Sequence, residues 1–74
     1  MILKMCNPGI DRHVECDMLH KETTSDPYAV AVYAYRSGVE VGRWRIGSST
    51  LEPTCDFVRA YVMDGGKTVD RIQP

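Results

Sequence analysis

DPYAVAVYAYRSGVEVGRWRI, residues 26–46, is the most strongly patterned stretch of the chain. Tyr28 to Tyr35 alternates through β-branched, small and aromatic residues. Arg36-Ser37-Gly38 makes a short turn, and Val39-Glu40-Val41 resumes the alternation. Two such runs around a Gly-containing loop predict a β-hairpin. Tyr28, Val30, Val32 and Ala34 share one face of the first strand, and Ala29, Ala31, Tyr33 and Tyr35 share the other. Both faces are rather apolar. The strand is therefore expected at the centre of a sheet, covered on both sides or with one face kept for binding. Past the turn, Val39 and Val41 have one parity and Trp44 and Ile46 the other, with the switch at Gly42. A β-bulge at Gly42 resets the facing of the residues after it. Val39, Val41, Trp44 and Ile46 are then expected toward the core, with Glu40, Arg43 and Arg45 pointing out together.

Toward the N-terminus, Pro27 holds Asp26 extended, and His20 to Pro27 (HKETTSDP) reads as a polar loop. Val14, Cys16 and Met18 alternate with Glu15 and Asp17, which predicts a half-buried strand ending at Leu19. Residues 1–12 show little pattern beyond the turn Asn7-Pro8-Gly9. They are expected to be irregular or to supply an incomplete first strand. Toward the C-terminus, Gly47-Ser48-Ser49 ends the hairpin strand. Ser49-Thr50-Leu51-Glu52 has the form of a capping box, and Pro53 suits the first turn of a helix. Leu51, Cys55, Val58 and Val62 recur at spacings of four, three and four. An amphipathic helix over about residues 50–64 is predicted, stopped by Gly65. Lys67 to Ile72 reads as a closing strand. The expected class is α+β, mostly β: a small antiparallel barrel or curved sheet with one helix packed on it.

The 74 residues make a single domain, 1–74. A chain of this length buries only about 60–65% of the surface it exposes when unfolded. No run approaches the ~18 consecutive apolar residues of a membrane span. Met1 to Cys6 has a very short apolar run and no cleavage-like tail, so no signal peptide is read. The expected location is intracellular, in cytoplasm or nucleus. Cys6, Cys16 and Cys55 form no C-x-x-C and read as reduced thiols. Cys6, His13, Cys16 and His20 are a weak zinc alternative, because the tight ligand pair of a zinc knuckle is missing. Paired carboxylates, a phosphate loop and a nucleophile elbow are absent. Cys16, His20 and Asp17 lack a third group and an oxyanion donor. No catalytic residue, metal or cofactor is assigned. The net charge of −1 gives no global field toward nucleic acid, although Arg36, Arg43 and Arg45 cluster on and after the hairpin.

Asp26 followed by Ala29-Val30-Ala31-Val32, the pair Val41-Gly42, and a helix ending near Asp64-Gly65-Gly66 resemble the HIRAN domain family over roughly residues 14–72. The resemblance implies a small OB-like β-barrel with helical elements, often found beside helicase-type ATPases. In some members it implies recognition of the 3′ end of single-stranded DNA. Asp26 matches the family aspartate that contacts the terminal hydroxyl, and Thr23, Thr24 and Ser25 match the residues just before it. Ser25 stands where the DNA-binding members carry an aromatic, leaving Tyr28 as the nearest one. Arg43 stands where a histidine commonly follows the V-G pair.

Single-strand binding needs a basic groove and aromatic faces, at ~1–3 kcal/mol per stacked base. The nucleic-acid-binding candidates are Asp26, Ser25, Tyr28, Arg36, Arg43 and Arg45, with Tyr33, Tyr35 and Trp44 as stacking surfaces. Each has a structural alternative: Trp44 in the core, Tyr33 and Tyr35 packed under a neighbour, Asp26 as an acceptor that shapes its loop. Two functions are expected. One is a non-catalytic nucleic-acid-binding accessory module. The other is a protein-interaction or structural module of the same fold, pairing with a protein or with itself through an open sheet edge.

Overall fold

A computed structural model of the chain describes residues 1–74. Seven strands follow one another: β1 (Ile2–Asn7), β2 (Ile10–Glu15), β3 (Met18–Thr23), β4 (Ala29–Arg36), β5 (Val39–Gly47), β6 (Arg59–Asp64) and β7 (Lys67–Ile72). They form two antiparallel sheets, one of four strands in the order β2-β1-β6-β7 and one of three in the order β3-β4-β5. The predicted hairpin is β4-β5. The turn between its strands is tighter than the sequence suggested. Ser37 and Gly38 alone make it, with φ of +53° and +77°. Two positive φ values give the twist that a right-handed hairpin needs. Ser37 bears the steric cost of that region, and its amide is fixed by Asp17 Oδ2 at 2.8 Å.

The core lies between the sheets. Leu3, Met5, Ala60, Val62 and Ile72 come from the four-stranded sheet, and Val30, Val32, Ala34 and Ile46 from the other. Register accounts for this set. Val30 faces Ile46 and Val32 faces Trp44 across β4-β5, so one parity of both strands points inward. Leu3 faces Val62 and Met5 faces Ala60 across β1-β6 in the same way. β4 is central, as its two apolar faces predict: its even residues meet the core and Ala31, Tyr33 and Tyr35 are half-buried on the outer side.

The bulge is present. Ala34 pairs with Gly42 and Tyr35 with Glu40, so Val41 is the extra residue, next to the predicted glycine. Glu40, Arg43 and Arg45 do share the outward face, opposite Tyr35, Tyr33 and Ala31. Val39 and Val41 differ from expectation. Val39 sits at the hairpin turn opposite Arg36 and Val41 is the unpaired bulge residue, and they are 64% and 46% exposed.

The predicted helix over residues 50–64 is absent, and the fold is all-β. The sheets do not close into an OB-like barrel either, so the α+β assignment and the helical element of the HIRAN resemblance are both corrected. Three forces defeat the helix. Pro53 disfavours the α region for Glu52. The Ser49 hydroxyl, expected to cap a helix, instead donates to Asp26 Oδ2 and accepts the Leu51 amide. Asp56 N donates to Arg45 O at 2.8 Å and Val58 N to Cys6 O at 3.1 Å, so this segment bridges β5 to β1. Beyond it, buried Ala60 and Val62 alternate with half-buried Tyr61 and Met63, a strand period. Gly65-Gly66 is thus a hairpin turn, with φ of +59° and +78°, leading into the closing strand β7 over the predicted residues.

The N-terminal half also differs. The single strand expected to end at Leu19 is two strands, joined at a corner where Cys16 is buried. Cys16 N donates to Met1 O and Asp17 N to Tyr35 O, tying one sheet to the other. The expected loop from His20 is strand as far as Thr23. Residues 1–12 are not irregular: β1 is a central strand with Leu3 and Met5 fully buried.

Candidate binding surface

Asp26 sits in the loop that carries β3 into β4. Its carboxylate is committed to the chain itself. Oδ1 accepts the Tyr28 amide at 2.9 Å, an Asx turn, and Oδ2 accepts the Ser49 hydroxyl. Asp26 N donates to Thr24 Oγ1 at 3.1 Å. The Thr24 hydroxyl in turn lies 2.9 Å from Asp26 O and 3.0 Å from Ala29 O, sharing its proton between them. Asp26 is buried. The Ser49 hydroxyl, then the Tyr28 amide, then the more distant Arg45 charge hold its carboxyl below the usual range near 3.8. Asp26 is therefore the clasp between the β3-β4 loop and the residues after β5. Ser25 and Thr23 are exposed beside it. Tyr28 is 63% exposed and shares a shallow cleft with Leu51, itself 65% exposed, and with Ser48, Ser49 and Thr50.

The three arginines do not act as one patch. Arg36 flanks the hairpin turn on the core-facing parity and lies 3.9 Å from Glu15. Arg43 and Arg45 lie side by side on the outer face of the β3-β4-β5 sheet. There Arg43 stacks over Tyr33, with its guanidinium carbon 5.4 Å from the ring centroid. Glu40, three residues earlier and brought level by the bulge, holds Arg43 through contacts of 3.0–3.2 Å. That carboxylate pushes the Arg43 pKa further up. Tyr33 donates its hydroxyl to Glu22 Oε2 at 3.2 Å, which raises its pKa, and its ring meets His20 at 5.7 Å. Trp44 lies on the opposite face, packed against the core with Arg12 5.6 Å above its ring, and so is not a stacking platform.

Arg45 is held at its backbone. Its amide donates to Asp56 Oδ2 at 2.8 Å, and its carbonyl accepts the amides of Asp56 and Phe57. Its side chain lines an open hollow of about 310 Å³ with Ala31, Tyr33, Arg43, Trp44 and Asp56. The outer face thus carries Tyr33, Tyr35, His20, Met18, Arg43 and Arg45 together with Glu22, Glu40 and Asp56. The sequence reading missed Glu22 and His20 by placing them in a loop. The signal was present, since Met18, His20 and Glu22 continue a period of two.

Cys6 and His13 lie on the outer face of the four-stranded sheet, His20 on the outer face of the other, and Cys16 between them. No three His, Cys, Asp or Glu side chains come together as metal ligands. Burial, and for Cys6 also Asp11, raises the thiol pKa of Cys6 and Cys16 above 9.0. No helix is long and apolar enough to cross a membrane. Compared with protein-family models, curated proteins and solved structures, the chain matches none of them.

Proposed function

We propose that the chain is a non-catalytic binding module whose contact surface is the outer face of β3-β4-β5, and that the partner is a protein. The observation that carries this reading is the composition of that face. Tyr33 and Tyr35 lie beside Arg43 and Arg45, with Met18 and His20 at the edge. Tyr, Met and Arg are the residues enriched in protein interfaces, and Tyr and Arg in their hot spots. Two arginines stand against three carboxylates, Glu22, Glu40 and Asp56, so the face lacks the positive field that steers a polyanion. Raised thiol pKa values run against a thiolate nucleophile.

Single-stranded DNA is the second reading, favoured by the Arg43–Tyr33 stack and by the HIRAN resemblance. It meets an obstacle at Asp26, where a 3′-hydroxyl has to displace Ser49 from the carboxylate. A photo-crosslinking residue placed at Tyr35, and in a control at Tyr61 on the other sheet, tests the first reading in cells. One recurrent polypeptide crosslinked from position 35 and not from 61 is expected. Labelled single-stranded oligonucleotide at low salt is expected to stay unbound. Binding that falls linearly in log–log salt, and that prefers a free 3′-hydroxyl to a 3′-phosphate, overturns the protein reading in favour of DNA.

A further inference from the structure

We infer that the Arg45 hollow is a receptor for a carboxylate side chain, an Asp or Glu of the partner. This rests on the reading of the outer face as a protein-binding surface and names the chemistry at its centre. Arg45 is the one arginine on that face without a carboxylate partner. Arg43, its neighbour, is held by Glu40. Asp56, which also lines the hollow, directs Oδ2 to the Arg45 amide rather than to its guanidinium. Asp26 feels the Arg45 charge only from a distance, with no ion pair between them. The Arg45 Nε–H is buried and bonds to nothing in the chain.

Buried donors in native proteins are satisfied almost without exception. The chain supplies no acceptor to Nε and no carboxylate to the guanidinium, so the side chain that lines the hollow is left for a ligand to complete. Guanidinium matches carboxylate geometry with a two-pronged hydrogen bond. Ala31, directly opposite Arg45 in the register, leaves the space. Backbone bonds to Asp56 and Phe57 fix the arginine before the ligand arrives, which reduces the entropy lost on binding.

The test is a nuclear magnetic resonance titration of the intact chain. The probe is the blocked peptide acetyl-Gly-Glu-Gly-amide, and the control is its Gln counterpart. The Arg45 Nε–Hε signal and the Ala31 amide are expected to move saturably with the Glu peptide in the roughly millimolar range, and not with the Gln peptide. Arg45→Gln is expected to abolish the shift, and Arg36→Gln, which sits against Glu15 outside the hollow, to retain it. Equal shifts with both peptides, or none at Arg45, overturn the inference. So does inorganic phosphate binding about tenfold or more tightly than the Glu peptide, which assigns the hollow to phosphoryl groups. If Arg45→Gln does not fold, the Glu-against-Gln comparison on the unaltered chain still decides. The probe is too small to reach Tyr35, so its failure removes the carboxylate site and leaves the crosslinking test of the whole face standing.

Discussion

At Asp26 one carboxylate joins two loops that are 23 residues apart in sequence, through the Tyr28 amide and the Ser49 hydroxyl. Both bonds favour the ionised form, so the folded pKa lies below the unfolded one. The stabilisation is therefore complete above about pH 4–5 and lost as pH falls through the folded pKa. Asp26→Asn is expected to lower Tm by several degrees at pH 7, and the gap to the native chain is expected to close on acidification toward pH 3. A gap independent of pH removes the charge from the explanation. The sequence pointed to this residue for its place before Pro27 but could not show the partner, because Ser49 arrives from the far side of β5. Glycines separate by what they touch. A Cβ at Gly42 meets only the far end of the Trp44 ring, whereas one at Gly47 meets the Tyr28 carbonyl, at a φ of +148°. Gly42→Ala is expected to swing the indole away from Arg12 at a cost of about 1 kcal/mol, with a red-shifted Trp fluorescence. Gly47→Ala meets backbone that cannot give way and is expected to cost about 3 kcal/mol or more by chemical denaturation.

Among the elements, legibility followed local chemistry. The β4-β5 hairpin and β7 were readable because their turns contain glycine beside alternating runs, a signal that needs no distant partner. Residues 49–58 misled because a capping-box form and a helical spacing are also local, yet their amides find Arg45 and Cys6 instead of one another. β1 was missed although Leu3-Lys4-Met5-Cys6 alternates and a Pro-Gly turn comes after it. Lysine is a weak strand former and the run lacks β-branched and aromatic residues beyond Ile2, so only the strands on either side reveal that this is a sheet centre. A pair of truncations distinguishes the two architectures. Leu51 heads the supposed helical stripe but is 65% exposed, and Leu51→Ala is expected to change stability by less than about 0.5 kcal/mol. Met5, ignored by the sequence pattern, is fully buried, and Met5→Ala is expected to cost about 2–5 kcal/mol. Urea denaturation of both variants measures the difference, and the opposite ranking would restore the helix.

Taken whole, the molecule is an open sandwich, and its two mouths are guarded in the same way. At one, Arg12 of edge strand β2 points between the sheets and lies over Trp44 of β5. At the other, Lys21 of edge strand β3 and Asp70 of edge strand β7 both take core-facing positions, opposite Val32 and Val62, and meet at 3.4 Å. Half-exposed as it is, this ion pair contributes at most about 1 kcal/mol to folding. Its larger effect is on assembly. A charge that points inward from an edge strand is desolvated when another strand docks there, which discourages edge-to-edge pairing. β5 and β7 carry bulges as well, which spoil the straight edge a partner strand would need. β3 has no bulge, so Lys21 is its main protection. The double variant Lys21→Val, Asp70→Val is expected to fold with nearly native stability and to self-associate, with a sedimentation coefficient that rises with concentration while the native chain's stays constant. Self-association of the native chain at the same concentrations would mean that these charges do not protect the edge. The partner would then include a second copy, paired through β3 next to the Tyr33 and Arg45 face.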